Sequence, residues 1–501
     1  MADSTQRRTP LGRRRRWAFR VAAVLLGLSP FLLFEIGCIV FDWGRETDFD
    51  DPFGTFHSPS PLFVTDSEGQ EYAIAPARLK YFAPDKFPAK KSPNTFRIFC
   101  LGGSTAQGRP FSTPTAFSTW LRLSLTAADD RRNWEVVNCG GVSYASYRLV
   151  PILKECLTHQ PDLIILCTGH NEFLEERTYA PVKHASPVVA MLIRVFSQLR
   201  SFVLLRHTVD EWLSPQADNS SDKQPQFKSE VDALLDYRNG IDAYHRDEDW
   251  RAGVIAHYAH NVRQMLTLAE AADIPVILIT PPSNLADSPP FKSQHRGDLT
   301  DAELTRWNEL IEQARSHFRD DLDLAVSLLK QALEIDDQFA ATHYELGKCL
   351  VAQGRYDEAR AAFVRARDED ICPLRMLSEQ EQALVEIAAE TATPWIDAHA
   401  LLERQTKTGI LGGGHLVDHI HPDFDGHQEI ADALLTEMIE QGFLTPSADW
   451  KPKRDAAYEE HLGSLDDLYH LRGNRTLGNL RAWSQGRADG PDITTRKGSD
   501  D

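Results

Sequence analysis

The chain is 501 residues long, with 42% hydrophobic and 25% charged residues, 29 Gly, 28 Pro and 7 Cys. That usage fits roughly three globular domains at about 150 residues each, and it excludes wholesale disorder, collagen-like repeats and a cysteine-knot scaffold. The net charge is −19, yet residues 1–20 hold seven Arg against one acid, leaving 47 basic and 72 acidic side chains elsewhere; so acidic a body argues against nucleic acid as a partner.

In chain order, Arg13–Arg16 and Arg20 lead into an apolar stretch, Val21–Phe34, which meets Glu35 and continues as Ile36–Phe41. As a helix, residues 17–41 would reach roughly 37 Å, enough for a bilayer core of about 30 Å. The arginines lie on one side only. This predicts a single-pass membrane anchor over 17–41, with residues 1–16 cytoplasmic and the body exported. A cleaved signal peptide is the alternative, but no small-x-small site follows the run. Residues 42–95, rich in Pro, Phe and Asp, read as an extended lead-in or a short β-arm.

From Phe96 the pattern changes. Five apolar runs, Phe96–Leu101, Trp134–Val137, Asp162–Cys167, Ile274–Thr280 and Thr393–Ile396, are each followed by a helical-looking stretch. Strands alternating with helices predict an α/β domain over 96–318 and 372–443, with a parallel five-stranded sheet covered on both faces. Ligands of such sheets sit beyond the carboxyl ends of the strands. Gln216–Ser229 reads as a polar surface excursion, and 444–501 as a polar extension whose tail, from Gln485, is disordered. Seven cysteines cannot all pair, and Cys100, Cys139 and Cys167 read as small core residues.

A repeat interrupts the α/β pattern over 319–371. Ala325, Leu329 and Ala332 recur 34 residues on as Ala359, Phe363 and Ala366, with Leu346, Gly347, Leu350, Gly354 and Tyr356 between. The spacing resembles the tetratricopeptide repeat, with His343 where Trp is common and Ile371 where Pro is common. About one and a half repeats rarely stand alone, so the hairpin is expected to lean on the α/β domain. It reads either as a plain insertion or as a docking surface for a protein partner.

Polar residues follow the strand-like runs. Ser104 stands in Gly102-Gly103-Ser104-Thr105, where a hydroxyl is exposed and a backbone N–H can face an oxyanion. No Lys follows, against a nucleotide-binding loop, and Ala106 stands where the α/β-hydrolase elbow needs Gly. The second run ends in Asn138-Cys139-Gly140-Gly141-Val142-Ser143, and the third in Gly169-His170-Asn171-Glu172. Near the end, Asp418 and His421 are spaced so that a carboxylate can orient an imidazole toward a nucleophile.

These four pieces, in this order, resemble the SGNH (GDSL-like) hydrolase family. Gly102–Thr105 matches the nucleophile block, with Gly103 where Asp is commoner. Asn138–Ser146 resembles the second block. Gly169–Glu172 resembles the third, with Glu172 for Asp. Asp418, Ile420 and His421 fit the last. The resemblance implies a three-layer α/β/α fold and cofactor-free, metal-free ester hydrolysis. Ser104 is then the nucleophile, His421 the base and Asp418 its orienter. The oxyanion hole is formed by Ser104, Asn171 and either Gly141 or Ser143. The implied substrate is a short-chain acyl ester, with an O-acyltransferase acting on a glycan as the near alternative.

Two other readings compete. His415, Asp418, His419, His421, Asp423, Asp425 and His427 could ligate a metal, which would leave Ser104 and Asn171 without a role. A non-catalytic scaffold using the repeat would leave the Ser104, Asp418, His421 and Asn171 set unexplained.

Overall fold

The structure, a computed structural model, describes residues 61–175, 231, 233–236 and 240–484, with Leu26, Ser29–Phe31, Leu33–Cys38 and Ser201. The chain divides into two units, 1–55 with 179–226 and 56–178 with 227–501. In the first, Leu26, Ser29–Phe31 and Leu33–Cys38 are helical, and Glu35 accepts a hydrogen bond from the Ser201 N–H at 2.8 Å. The membrane anchor expected over 17–41, and with it the cytoplasmic N-terminus and exported body, is overturned. Among the described residues, no helix is long and apolar enough to cross a membrane. A span needs about 20 apolar residues in succession, and the described helical residues are fewer and contain Glu35. The rest of 1–41, the excursion at 216–229 and the tail from 485 lie outside the described residues.

In the second unit, the lead-in forms β1 (Phe63–Thr65), β2 (Glu71–Ile74) and β3 (Lys86–Pro88), an antiparallel three-stranded sheet. Then come β4 (Thr95–Gly102), α1 (Ser104–Gln107), α2 (Phe117–Ala128), β5 (Asn133–Gly140), α3 (Ser146–Thr158), β6 (Leu163–Cys167), α4 (Glu248–Ala271) and β7 (Val276–Thr280). Next are α5 (Asp301–His317), α6 (Leu322–Ile335), α7 (Ala340–Ala352), α8 (Tyr356–Asp368) and α9 (Ser378–Thr391). The chain continues through β8 (Trp395–Asp397), α10 (Ala398–Glu403), α11 (Phe424–Glu440), α12 (Trp450–Gly463) and α13 (Asp467–Ser484).

All five apolar runs are strands of one sheet, ordered β5-β4-β6-β7-β8, and every pairing is parallel. Every residue of β4, β6 and β7 is buried, as continuous apolar runs require when both faces are covered. Phe96, Ile98 and Cys100 of β4 pack with Phe117, Trp120, Ile430 and Leu434 of α2 and α11. Alternating side chains point the opposite way. All seven cysteines are buried free thiols, with Cys100, Cys139 and Cys167 on strands of this sheet.

Helices α6, α7 and α8 carry the repeat. Ala325, Leu329, Ala332, Ala359 and Phe363 share one core with Trp307 of α5, and with Leu285 and Ile410 from outside the helices. The Tyr344 hydroxyl donates to the Ala286 carbonyl at 3.0 Å, and Arg360 pairs with Glu403 at 2.8 Å. The hairpin therefore leans on the sheet domain. His343, in the usual Trp position, is buried and bonded to the Asp337 carbonyl at 2.7 Å.

Gly347 lets α7 and α8 approach closely, because a Cβ there would stand 2.6 Å from the buried Phe363 ring. Gly→Ala in a helix ordinarily gains up to about 1 kcal/mol. Here Gly347→Ala should instead destabilise by about 1–3 kcal/mol through overpacking, seen as a lower thermal midpoint that Phe363→Leu partly restores. A raised midpoint in the single variant would contradict this packing.

Candidate active site

The strand register sets the site. Gly102 lies opposite both Gly140 of β5 and Cys167 of β6. The three strands therefore end level, and the loops that follow emerge side by side. Ser104 opens α1 immediately after β4. Gly103 is required by close approach, since a Cβ there would lie 2.4 Å from Asn171 Nδ2. That amide donates to the Tyr144 carbonyl at 3.0 Å, so Ser104, the 141–144 turn and Asn171 meet at one point.

The last segment completes the set. His421 Nε2 lies 2.8 Å from Ser104 Oγ, and His421 Nδ1 lies 2.7 Å from Asp418 Oδ2. The other carboxylate oxygen accepts the Ile420 and His421 backbone N–H groups, each at 2.9 Å. Burial alone would raise the Asp418 pKa, but His421, His419 and these hydrogen bonds hold it well below the usual carboxylate range. The residue stays ionised, as an orienter of imidazole must. Ser104, more than 300 residues before Asp418 and His421 in the chain, is thus joined to them by hydrogen bonds.

The structure separates the two candidate oxyanion donors. The Gly141 N–H donates to the Gly102 carbonyl at 2.9 Å and is occupied. Val142 and Tyr144 donate to the Tyr81 and Gly141 carbonyls at 2.8 and 3.1 Å. Among the described residues, the Ser143 N–H has no partner. Ser143 has φ +62°, left-handed for a non-glycine residue, which costs roughly 1–2 kcal/mol. This is the position where the family resemblance places glycine.

Glu172 is structural. Its two oxygens accept the N–H and hydroxyl of Ser146 at 2.8 and 2.9 Å, where α3 starts, a favourable place for a carboxylate. The metal-ligand alternative does not converge. Asp418 and His421 bond each other, Asp423 caps α11 through the Gly426 N–H at 2.7 Å, and His427 Nδ1 accepts the Phe117 N–H at 3.3 Å. His419 packs edge-on to Phe291. Among the described residues, no group of three or more His, Cys, Asp or Glu is placed to hold a metal ion.

Some supporting residues were not singled out from the sequence. Asn284, just beyond β7, donates its amide to the Asp418 carbonyl at 3.0 Å, and its N–H bonds the His419 carbonyl at 2.9 Å. Its position after an apolar run was a usable signal, hidden behind Pro281-Pro282. Buried Arg375 donates to the Asn284 and Ser288 carbonyls, each at 2.8 Å. His170 Nδ1 accepts the Met376 N–H at 3.0 Å. Neither bond has a local signal.

The tetratricopeptide repeat family model matches residues 319–370. No curated protein matches the chain. Among solved structures, it is similar to Axe2, an acetylxylan esterase from Geobacillus stearothermophilus, at 13% identity and TM-score 0.30 over 70% of this chain and 96% of that one. It is also similar to LAE5, an alpha/beta hydrolase enzyme from the metagenome of Lake Arreo, Spain, at 13% identity and TM-score 0.31 over the same shares. Likeness at this level does not specify an activity, which rests on the geometry above.

Burial holds several imidazoles of this region neutral. It pulls His419 down to about 4 and His427 to about 3, and drives His170 well below its ordinary 6.5. In the unfolded chain all three protonate near 6.5, so they contribute stability above that pH and lose it as pH falls toward about 4. Asp370, pushed by burial up to about 6, works in the opposite direction between about 6 and 4. His159 and His343 are pulled the same way, Asp85, Asp423 and Asp432 the other; free imidazoles titrate nearer neutrality than free carboxylates, so the urea-unfolding midpoint should fall between pH 7 and pH 5. His427→Asn, which keeps an acceptor for Phe117, should flatten that slope; an unchanged slope would refute this assignment.

Proposed function

We propose that the chain is a serine-dependent ester hydrolase of the SGNH type, working through an acyl-enzyme on Ser104. The observation that carries this reading is the continuous hydrogen-bond chain from Asp418 through His421 to Ser104, at 2.7 and 2.8 Å. Helices on both faces of a parallel sheet, with every candidate residue at the carboxyl-end edge, support it.

In this mechanism His421 Nε2 takes the Ser104 hydroxyl proton as Oγ attacks the ester carbonyl. The oxyanion is met by the N–H groups of Ser104 and Ser143 and by the second Nδ2 hydrogen of Asn171. His421 then protonates the departing alcohol. Water, deprotonated by the same imidazole, releases the acid and restores Ser104. Transfer to a sugar hydroxyl would use the same acyl-enzyme.

The purified protein should release p-nitrophenol from p-nitrophenyl acetate, with no loss in the presence of a chelator. Ser104→Ala and His421→Ala should lower kcat by about 10⁴–10⁶-fold, and Asn171→Ala by about 10²–10³-fold, in proteins whose circular dichroism and cooperative melting show the fold retained. A fully active Ser104→Ala protein would sink the proposal. Free acid as product identifies a hydrolase, and acetyl appearing on an added glycan identifies a transferase.

A further inference from the structure

The C-terminal helix α13 touches the loop after Ser104 and the histidine loop, and through Asp236 it reaches a turn bonded to the Asn171 segment. Near its start, the Tyr469 hydroxyl hydrogen-bonds Thr115 Oγ1 at 2.7 Å, and the His470 ring lies 6.1 Å from Phe424. One turn on, Gly473 abuts Phe111 so closely that a Cβ would stand 2.0 Å from the ring. Phe111 belongs to the loop leaving Ser104, in which the Arg109 N–H donates to the Ser104 carbonyl at 3.1 Å. Phe424 follows His421 by three residues and packs on Phe111 at 4.8 Å.

Farther along, Arg481 donates to the Val417 carbonyl, and the Val417 N–H donates to the His421 carbonyl at 2.9 Å. At the end, Trp483 Nε1 donates to Asp236 at 2.9 Å. Asp236 sits in the turn Leu234–Asp236, and the Leu234 N–H is bonded to the carbonyl of Leu174, three residues after Asn171, at 2.8 Å. Eighteen helical residues reach about 27 Å, enough to run from the nucleophile loop past the histidine loop to the Asn171 side.

This helix is held by scattered contacts rather than by a buried face. Leu468 and Leu471 are 47% and 66% exposed, and among the described residues of α13 only Gly473 is buried. Two glycines, Gly473 and Gly478, each weaken it by about 1 kcal/mol relative to Ala. Elements with few buried contacts open at low free-energy cost. The preceding α12 is firmly seated, with the Tyr458 hydroxyl on Ser124 Oγ at 2.6 Å and His461 Nε2 on the Pro114 carbonyl at 2.8 Å. A pivot therefore falls between Gly463 and Asp466. Between the segments that α13 contacts, Ser104, His421 and Asn171 are only 6%, 1% and 8% exposed.

We propose that α13 is a hinged cover over the candidate site and that its opening decides which esters reach Ser104. A small acyl group on a small alcohol enters with the helix seated. An ester carried on a bulky alcohol, such as a sugar chain, requires the Arg481–Trp483 end to swing away. The inference rests on the Ser104 reading above and sharpens it to substrate size.

The test uses the full chain, the double variant Arg481→Ala/Trp483→Ala, and a chain ending at Ser464. Ser104 labelling is timed with phenylmethylsulfonyl fluoride and with a biotin-linked fluorophosphonate, alongside hydrogen exchange over 467–484 in the first two proteins. The double variant should exchange faster over 467–484. In it and in the shortened chain, labelling by the large reagent should accelerate at least about tenfold while the small one changes less than about threefold. An unchanged large-to-small ratio in the shortened chain, or parallel loss of both rates, would overturn the cover. Absence of Ser104 labelling by either reagent in the unaltered protein would instead remove the nucleophile reading on which it stands.

Discussion

The site depends on three parallel strands ending at the same level. With Gly102 opposite Gly140 and Cys167, the loops after β4, β5 and β6 begin as neighbours and can bond each other directly. Gly141 reaches back to the Gly102 carbonyl, and Asn171 reaches across to Tyr144. Slipping one strand by a single residue would turn its buried side chains to the wrong face. The register that builds the core therefore also places the loops that carry Ser104, Ser143 and Asn171 side by side. The lead-in strands serve the same end, because Tyr81 and Phe82 pair with Val142 and Gly141 and back the turn from outside.

The histidine loop is held differently. It rests on the residues after β7, through Asn284, and Asn284 in turn rests on Arg375. Arg375 lies 3.6 Å from Asp370, and Asp370 accepts the N–H groups of Phe291, Lys292 and Cys372. Burial pushes Asp370 up to about 6 and pulls Arg375 down to about 10. For each partner, desolvation outweighs the attraction between them, so the pair is better understood as a tether than as a source of stability. It ties the exit of the repeat hairpin to the segment that carries Asp418 and His421. The inserted hairpin thus braces the loop opposite the nucleophile.

The strands and the polar residues at their ends were legible because both follow local rules. A strand covered on both faces must be continuously apolar, and Ser104, Asn171, Asp418 and His421 each sit in short patterns with few alternative uses. What was not legible depends on distant partners. Spacing cannot choose between Gly141 and Ser143, because the choice turns on whether the Gly102 carbonyl is there to occupy one N–H. Glu172 departs from the pattern of the resemblance, and only its contact with Ser146 shows that it serves the start of α3. Helix α13 has no apolar stripe, and the partners that hold it lie more than 40 residues away in the chain, so composition marked it only as a polar extension. The apolar N-terminal run shows the converse error, since local hydrophobicity predicted a span that the described helical residues do not form.

The charge arrangement around His421 follows from these placements. Asp418 is held ionised by the imidazole and by two backbone N–H groups, while burial holds His170, His419 and His427 neutral. A positive charge on any of those three would oppose formation of an imidazolium at His421, and each of them is in turn disfavoured as a cation by His421. In the proposed reaction, the positive charge taken up with the Ser104 proton would appear beside a fixed carboxylate, with no competing cation among those three imidazoles.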